Sequence, residues 1–389
     1  MTVAKPQPPL SLCMIVKNEA ENLPRCLASA QPYVDEIIVV DTGSTDDTIA
    51  IATQYGAKVF HFDWCDDFAA ARNYSLSKAT GEWILGLDAD EELQVEDPNF
   101  RQQLSADSQI WQYNLTRIEV SAESVLTEFW LNRLCRNLPQ IQYVGRFHEQ
   151  LVCPAEIQAT GANLAGVKIL HYGYQPEVAL DKIRDRNIPI LESIQQQEGL
   201  SLMLLYALAD MYETVDQPEK AQACYAEAFE KLFPHLVEGT LPQAYGFVPS
   251  ILARLGTQAL NQQDYETVRW ICQRGLQWFP NFPPLNYLAG LFVGNLGFHA
   301  GAAAYFQACL QFGQDKTYYR GEPFDIGYMT SFAACALGCA HMELKDWEQA
   351  EAAFELALKF EPGYELASKN LALLVGKDDA FLNHPPGRN

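Results

Sequence analysis

The chain has 389 residues, of which 48% are hydrophobic and 20% are charged, and this composition is typical of folded globular domains rather than of a disordered chain. A chain of this length accommodates two or three domains. The net charge of −22, from 27 basic and 49 acidic residues, argues against a nucleic acid polymer as partner, because such binding depends on basic side chains that neutralise phosphates.

The cysteines and the N-terminal residues are used to predict the cellular compartment of the protein. The ten cysteines include no Cys-x-x-Cys pair, so we predict neither a zinc knuckle nor a dithiol motif, and we expect reduced thiols. Residues 1–9 lack the apolar core of a signal peptide, and no segment approaches the roughly 20 apolar residues of a membrane span. We therefore expect a cytoplasmic protein without a transmembrane segment.

Short apolar runs alternate with helical patterns in the first part of the chain. Strands are predicted at residues 10–16, 36–40, 58–60 and 83–87, and helices at residues 20–30, 45–55 and 68–78. This alternation predicts an α/β fold with a doubly wound, mostly parallel sheet. Strand-like stretches within residues 110–172 predict a mixed extension of that sheet.

Polar motifs follow three of the four predicted strands. Lys17-Asn18-Glu19 follows the first strand, Asp41-Thr42-Gly43-Ser44 the second, and Asp88-Ala89-Asp90 the fourth. The carboxyl ends of parallel strands share one edge of a sheet, where ligands usually bind. Carboxylates are ligands of hard cations such as Mg²⁺, so these motifs predict a metal–nucleotide site. Alternatively, Asp and Glu end strands or cap helices, but the convergence of three motifs favours the site.

From about residue 176 onward the pattern is helical and repetitive. Residues 337–362 match the tetratricopeptide template, a helix–turn–helix unit of about 34 residues. Weaker copies begin at Leu208, Leu255 and Leu288. Such units stack because none of them buries its apolar face alone. The alternative is a generic helical bundle with an alanine-rich core.

With these residues in hand, residues 11–93 resemble the family 2 glycosyltransferases, which are nucleotide-sugar-dependent enzymes of the GT-A fold. The resemblance rests on four segments in this order and spacing: residues 13–19, 37–46, 71–73 and 87–91. The pairing with tetratricopeptide-like repeats is similar to a known subgroup of that family. The expected domains are a tail at residues 1–9, a GT-A domain at 10–175, a linking helix at 176–200, helical repeats at 201–375 and a tail at 376–389.

The resemblance implies roles for five donor-side residues. Asp41 would accept a hydrogen bond from the nucleotide base, and Glu19 would border the base or the ribose. Asp88 would face the ribose or the metal shell, and Asp90 would ligate the Mg²⁺ or Mn²⁺ that bridges the diphosphate. Arg72 would contact the base or a phosphate, because its planar fork suits phosphate oxygens.

An inverting transfer also needs a carboxylate that deprotonates the acceptor hydroxyl. The candidates are Glu91, Glu92 and Glu149, and we favour Glu149. It lies in a Gly-x-x-His-Glu element that follows a strand-like stretch at residues 141–144 and resembles the acceptor-side loop of related transferases. His148 would bind the metal or contact the diphosphate. Glu91 and Glu92 would then orient the metal-binding turn.

Three assignments stay open at this point. Arg72 has the alternative of a surface ion pair with Asp66 or Asp67. His171 either supplies a third metal ligand, closes the donor pocket, or is a structural residue among aromatic neighbours. A small basic stripe either reaches the diphosphate or forms a solvated helix face, and it consists of Lys182, Arg184 and Arg186.

Together these features predict a metal-dependent inverting glycosyltransferase with a nucleotide-sugar donor and a protein, peptide or glycan acceptor. The helical repeats would dock the acceptor or a partner protein. The alternative is a catalytically inactive nucleotide-binding or scaffold protein that acts through its repeats. Nucleotidyl transfer is disfavoured, because a Gly-rich phosphate loop is missing after the first strand.

Overall fold

The computed structural model describes residues 7–104, 109–120, 127–154, 160–172, 180–242 and 247–383, with side chains described as far as residue 374. By its contacts the chain divides into two compact units, Met1–Gln222 and Ala223–Asn389. The described strands are β1 (Leu10–Val16), β2 (Glu36–Asp41), β3 (Lys58–His61), β4 (Trp83–Gly86), β5 (Glu91–Val95), β6 (Ile110–Glu119), β7 (Phe129–Arg136), β8 (Gln142–Val144), β9 (Gln150–Val152) and β10 (Thr160–His171). The described α-helices are α1 (Leu23–Ala30), α2 (Thr48–Gln54), α3 (Phe68–Leu76), α4 (Ile188–Glu198), α5 (Leu202–Thr214), α6 (Pro218–Glu238), α7 (Val248–Asn261), α8 (Tyr265–Trp278), α9 (Pro283–Asn295), α10 (His299–Asp315), α11 (Ser331–Glu343), α12 (Trp347–Phe360) and α13 (Glu365–Asn383).

The first unit contains an eight-stranded sheet with the order β3-β2-β1-β4-β7-β6-β10-β5. Strands β3, β2, β1 and β4 are parallel, whereas β7 is antiparallel to both β4 and β6. Strand β10 runs parallel to β6, and β5 closes that side antiparallel to β10. The predicted α/β fold, with a parallel half and a mixed extension, is therefore confirmed.

The parallel half is held by apolar side chains on both faces of its central strands. Leu10, Leu12 and Met14 of β1 are buried on one face, and Cys13 of β1 packs with Ile84 of β4 on the other. Such continuous apolar runs are typical of strands covered by helices on both sides. Val16 pairs with Asp41 across β1 and β2, and β4 adjoins β1 on the other side. The residues that follow these three strands therefore meet at one edge of the sheet.

Two helices begin later than predicted, and each has a local cause. Helix α1 begins at Leu23, with a proline in its first turn, rather than at residue 20. Helix α2 begins at Thr48 rather than residue 45, because the Asp46 carboxylate accepts from the Thr48 backbone N–H at 3.0 Å. The Ser44 hydroxyl accepts from the Asn18 backbone N–H at 2.9 Å. It thus joins the loops that follow β1 and β2.

Strand β5 has no counterpart among the predicted elements. Its first residue, Glu91, is fully buried, and Leu93 is buried on the same face. A charged residue at an inward position hides the alternation that identifies a strand. Burial of Glu91 is tolerated because arginines neutralise its carboxylate, as described below.

The second unit consists of helical hairpins. Its helices pair in sequence as α7 with α8, α9 with α10, and α11 with α12, and α13 follows. Gly338 of α11 allows the close approach of α12, since a Cβ atom there would lie 2.5 Å from a ring carbon of Phe354. The prediction of an all-α region of helical repeats after the sheet is confirmed.

Some predictions concern residues outside the described ranges. These ranges omit residues 1–6, 173–179 and 384–389, and so parts of the predicted tails and of the linking helix. The predicted domain limits therefore stay predictions. No helix within the described ranges is long and apolar enough to cross a membrane. All ten cysteines are free thiols.

A buried carboxyl group caps the first helix of the second unit. Helix α7 follows Phe247, which has no side-chain oxygen to cap it. Glu322, in the connection between α10 and α11, accepts from the Ser250 backbone N–H at 3.1 Å through Oε1. Its Oε2 atom is buried and has no hydrogen bond to the described residues. Burial raises the pKa of Glu322 to about 7.

We predict a pH-dependent effect of Glu322→Gln. Because the pKa of this carboxyl is about 7 in the folded protein and 4.5 without the burial, the wild type loses stability as the pH rises through this window. Glutamine resembles the protonated acid, so the two proteins should melt alike at pH 5. At pH 8 the variant should be more stable by roughly 3 kcal/mol. A melting-temperature difference that stays constant from pH 5 to pH 8 would contradict this.

Candidate functional site

The Asp88 turn joins β4 to β5 at the edge where β1, β2 and β4 end. The Glu91 backbone N–H donates to the Asp88 carbonyl at 3.0 Å. In return, the Asp88 backbone N–H donates to Glu91 Oε2 at 2.9 Å. The Tyr172 backbone N–H, just after β10, donates to the Asp90 carbonyl at 2.9 Å. The fully buried Glu91 therefore braces this turn, which leaves it unsuited to act as the base.

Nine charged side chains form a continuous series of ion pairs with alternating sign beside this turn, and we call it the charge row. Its first half connects Glu149 with Glu91. Arg72 contacts Glu149 through Nε, and its Nη2 lies 2.7 Å from Asp88 Oδ1. Arg133 Nη2 contacts Asp88 Oδ2 and lies 2.8 Å from Glu91 Oε1. Both oxygens of Asp88 are therefore held by arginines.

The second half of the charge row connects Glu91 with Asp90. Arg117 lies 3.7 Å from Glu91 Oε1 through Nη1, and 3.0 Å from Glu119 Oε1 through Nε. His171 contacts Glu119 through Nδ1, and its Nε2 lies 3.4 Å from Asp90 Oδ2. The sheet register sets this order, because His171 pairs with Glu119 of β6 on one side and with Glu91 of β5 on the other.

Burial makes each member of the charge row dependent on its neighbours. Burial alone disfavours the ionised carboxyl of Asp88, but Arg133 and Arg72 hold its pKa well below the ordinary value. Burial likewise disfavours the charged ring of His171, yet hydrogen bonds to Asp90 and Glu119 raise its pKa to about 9. With an imidazolium at His171, the row contains five anions and four cations and ends in a carboxylate at either end.

The predicted site residues fall into two groups. Arg72, Asp88 and Glu149 are in direct contact, and Asp90 joins them through the rest of the charge row. The alternative that Arg72 forms a surface ion pair with Asp66 or Asp67 is wrong. Arg72 is buried, and Asp67 instead caps α3 by accepting from the Ala70 backbone N–H at 2.9 Å.

Asp41 and Glu19 belong to the neighbouring loops rather than to the charge row. The buried Asp41 carboxylate accepts from the backbone N–H groups of Gly43, at 3.0 Å, and of Ser44. It thereby shapes its own turn, in which Gly43 has a φ of +104°. Glu19 accepts from Asn22 Nδ2 at 3.0 Å and pairs with Lys182 at 3.2 Å. Both carboxylates thus stabilise loops at the edge of the sheet.

His148 lies in the loop between β8 and β9 that also supplies Glu149. Its backbone is left-handed, with a φ of 51°, and its exposed ring packs edge-on against Phe147. Searching the part of the chain that is described, we find no group of three or more His, Cys, Asp or Glu side chains that could hold a metal ion.

Arg133, Arg117 and Glu119 are charge-row members that the sequence analysis missed. Arg133 lies in β7 between Leu131 and Cys135, and an arginine within such a strand signals a buried carboxylate partner. Arg117 and Glu119 are two residues apart and share one face of β6. This spacing is the signal that could have identified them.

Two segments of the chain match models of known families. Residues 11–99 match the model of glycosyl transferase family 2, and residues 331–364 match that of the tetratricopeptide repeat. A TPR repeat-containing protein of Synechococcus elongatus is 52% identical over 141 residues, which are 36% of this chain and 34% of that protein. The SPbeta prophage-derived glycosyltransferase SunS of Bacillus subtilis is 25% identical over 55% of this chain and 51% of its own.

A solved structure is also similar. Glucosyl-3-phosphoglycerate synthase from Mycobacterium tuberculosis, in complex with Mn²⁺, uridine diphosphate and glucosyl-3-phosphoglycerate, is 17% identical over 48% of this chain and 79% of that chain, with a TM-score of 0.32. The chain spans about a third and about half of the length of the two curated relatives named above. The family matches confirm the predicted order: this chain carries a glycosyltransferase family 2 domain followed by tetratricopeptide repeat sequence.

We predict that Arg133→Gln destabilises the protein by about 3 to 5 kcal/mol, because it removes a partner from the fully buried Glu91 and from the half-buried Asp88. Lys168→Gln is the matched control, since Lys168 pairs with Glu96 at 2.7 Å on the surface. That change should cost less than about 1 kcal/mol. Urea denaturation followed by tryptophan fluorescence measures both, and equal losses of stability would contradict the structural role of the charge row.

Proposed function

We propose that this protein transfers a sugar from a nucleotide-sugar donor to a protein, peptide or glycan acceptor, with inversion at the anomeric carbon and with the help of a divalent cation. One observation carries the proposal: the charge row ends in Asp90 and Glu149 at the edge where the parallel strands of a family 2 domain end. Ligands of open α/β sheets bind at such an edge.

The donor would lie over the loops that follow β1 and β2. Glu19 and Asp41 border this position, and the nucleotide base and ribose are the groups that we assign to it. Asp41 contributes by holding the turn to Ser44, since its carboxylate accepts from two backbone N–H groups. The Asn18 side chain accepts from the Thr45 backbone N–H at 2.8 Å and connects the two loops. The base site is thus pre-organised by contacts within the chain.

Asp90 is the residue that would hold Mg²⁺ or Mn²⁺. Asp88 is unsuited, because both of its oxygens are paired with arginines, whereas Asp90 has a half-buried carboxylate whose neighbour is His171 at 3.4 Å. One or two carboxylates together with substrate phosphates are a usual ligand set for Mg²⁺, so this arrangement fits. His148 is the second residue assigned to the metal or the diphosphate. When bound, the ion supplies Lewis-acid neutralisation of the leaving diphosphate.

Glu149 is the residue assigned as the general base. Arg72 holds its Oε1 atom, which orients the carboxylate and leaves Oε2 for the acceptor. As the acceptor oxygen attacks the anomeric carbon, its proton passes to Glu149 and the bond from that carbon to the diphosphate oxygen breaks. Arg72 contacts both Glu149 and Asp88. It thereby links the proposed base to the turn that carries Asp90.

The helical repeats are assigned to docking of the acceptor or of a partner protein. The tetratricopeptide match at residues 331–364 and the hairpins of the second unit support this assignment. Stacked hairpins of this kind bind extended segments of other chains. The domain with the transfer chemistry and the element that selects the acceptor would then be separate parts of one chain.

We expect Asp90→Asn to reduce sugar transfer by at least about a hundredfold, because the amide cannot replace a carboxylate that holds the cation. The measurement is release of nucleoside diphosphate from UDP-, GDP- and dTDP-sugars with Mn²⁺ present. Glu96→Gln makes the same chemical change in a surface carboxylate after β5 and should leave the rate unchanged. Full activity of a folded Asp90→Asn protein would refute the assignment of Asp90. Absence of transfer by the wild type, without nucleotide binding, would favour a scaffold role through the repeats.

A further inference from the structure

One arginine beside the proposed donor site differs from those in the charge row. The guanidinium groups of Arg72, Arg117 and Arg133 each pair with carboxylates. Arg186, in contrast, has no carboxylate within 4.0 Å among the residues that the structure describes. It belongs to a π-helical segment, Ile183–Asn187, directly before α4. Segments of this type occur often at functional sites. The positive charge of Arg186 is therefore not neutralised by a direct ion pair with any described residue.

Two contacts fix the position of this side chain. Its guanidinium lies over the ring of Phe68, the first residue of α3, at 5.2 Å from the ring centroid. Its Nε donates to Asn187 Oδ1 at 2.9 Å. These contacts leave Nη1 and Nη2, the two ends of the fork that match a pair of phosphate oxygens. Arg72 follows Phe68 by one turn of α3 and contacts Asp88. Arg186 thus lies beside the helix that carries Arg72.

The local charge balance favours an anion at this position. Burial lowers the pKa of Arg186, and the carboxylate that offsets this effect is Glu19. Glu19 already pairs with Lys182, which precedes Arg186 by four residues. One carboxylate thus faces two cations at the end of β1. In a site for a nucleotide-sugar, the group with the complementary charge is the diphosphate.

We propose that Arg186 binds the diphosphate of the donor through its two Nη atoms, from a segment outside residues 11–99. This inference rests on the proposed function, and it makes Arg186 a binding residue for the leaving group. The proposal also gives different roles to the three residues of the basic stripe, Lys182, Arg184 and Arg186. Arg186 serves the site, Lys182 is paired with Glu19, and the exposed Arg184 belongs to the solvated face.

The competing role for Arg186 is packing on Phe68, and the two roles predict different binding data. Calorimetric titration of the full chain with UDP, GDP and dTDP in the presence of Mn²⁺ first identifies the nucleotide that binds. The same nucleotide and its nucleoside are then titrated into Arg186→Gln. We expect the affinity for the diphosphate to fall about tenfold to a hundredfold, with the affinity for the nucleoside unchanged.

Arg184→Gln is the matched control, because it removes the same charge from the same segment and should change neither affinity. Arg186→Lys keeps the charge without the fork and should recover part of the loss. Equal weakening of diphosphate and nucleoside binding would assign Arg186 to packing, and wild-type affinity for the diphosphate would also overturn the inference. If the wild type binds none of the three diphosphates, the proposed function itself fails, and the inference falls with it.

Discussion

The charge row is the interaction on which the site depends. Its members come from α3, the Asp88 turn, four strands and the loop before β9, so no single segment positions them. Glu91 is fully buried, and a carboxylate in that position is stable only while Arg133 and Arg117 neutralise it. The alternation of sign lets each charge satisfy two neighbours. Site geometry and the stability of the sheet are thereby linked, since the loss of one member removes a partner from each of its neighbours.

Under the proposed function, this linkage would also hold the donor-side residue Asp90 and the acceptor-side residue Glu149 in a fixed relation. Asp90 and Glu149 lie at opposite ends of the charge row, and rigid pairs connect them. Held side chains need no rearrangement as charge develops during the reaction, which is the main physical advantage of a pre-organised site. The loops after β1 and β2 are joined by hydrogen bonds of Asn18 and Ser44, and they would add the proposed base site. Arg186 would complete this arrangement by supplying an unpaired cation where the leaving group carries its charge.

Much of the fold could be predicted from the sequence, because local patterns determine it. The apolar runs of β1 and β4 and the small residues of the repeats each identify their own element. Strand β5 was not predictable in this way, since its inward Glu91 looks like a surface residue until Arg133 is placed beside it. The same holds for the site. Asp88 and Asp90 follow a recognisable strand, but the pairing of Arg72 with Glu149 joins residues that are far apart in the chain. Charge pairing of this kind depends on sheet order, which sequence patterns leave open.

We propose that the edge of the sheet beyond β1, β2 and β4 binds a nucleoside diphosphate together with a divalent cation. A thermal-shift screen of the wild-type chain with UDP-, GDP- and dTDP-sugars, each with and without Mn²⁺, tests this most directly. We predict that one nucleotide raises the melting temperature and that Mn²⁺ enlarges the shift, because a ligand that binds only the folded state stabilises it. An unchanged melting temperature with every donor, at saturating concentrations and in both metal conditions, would contradict the claim.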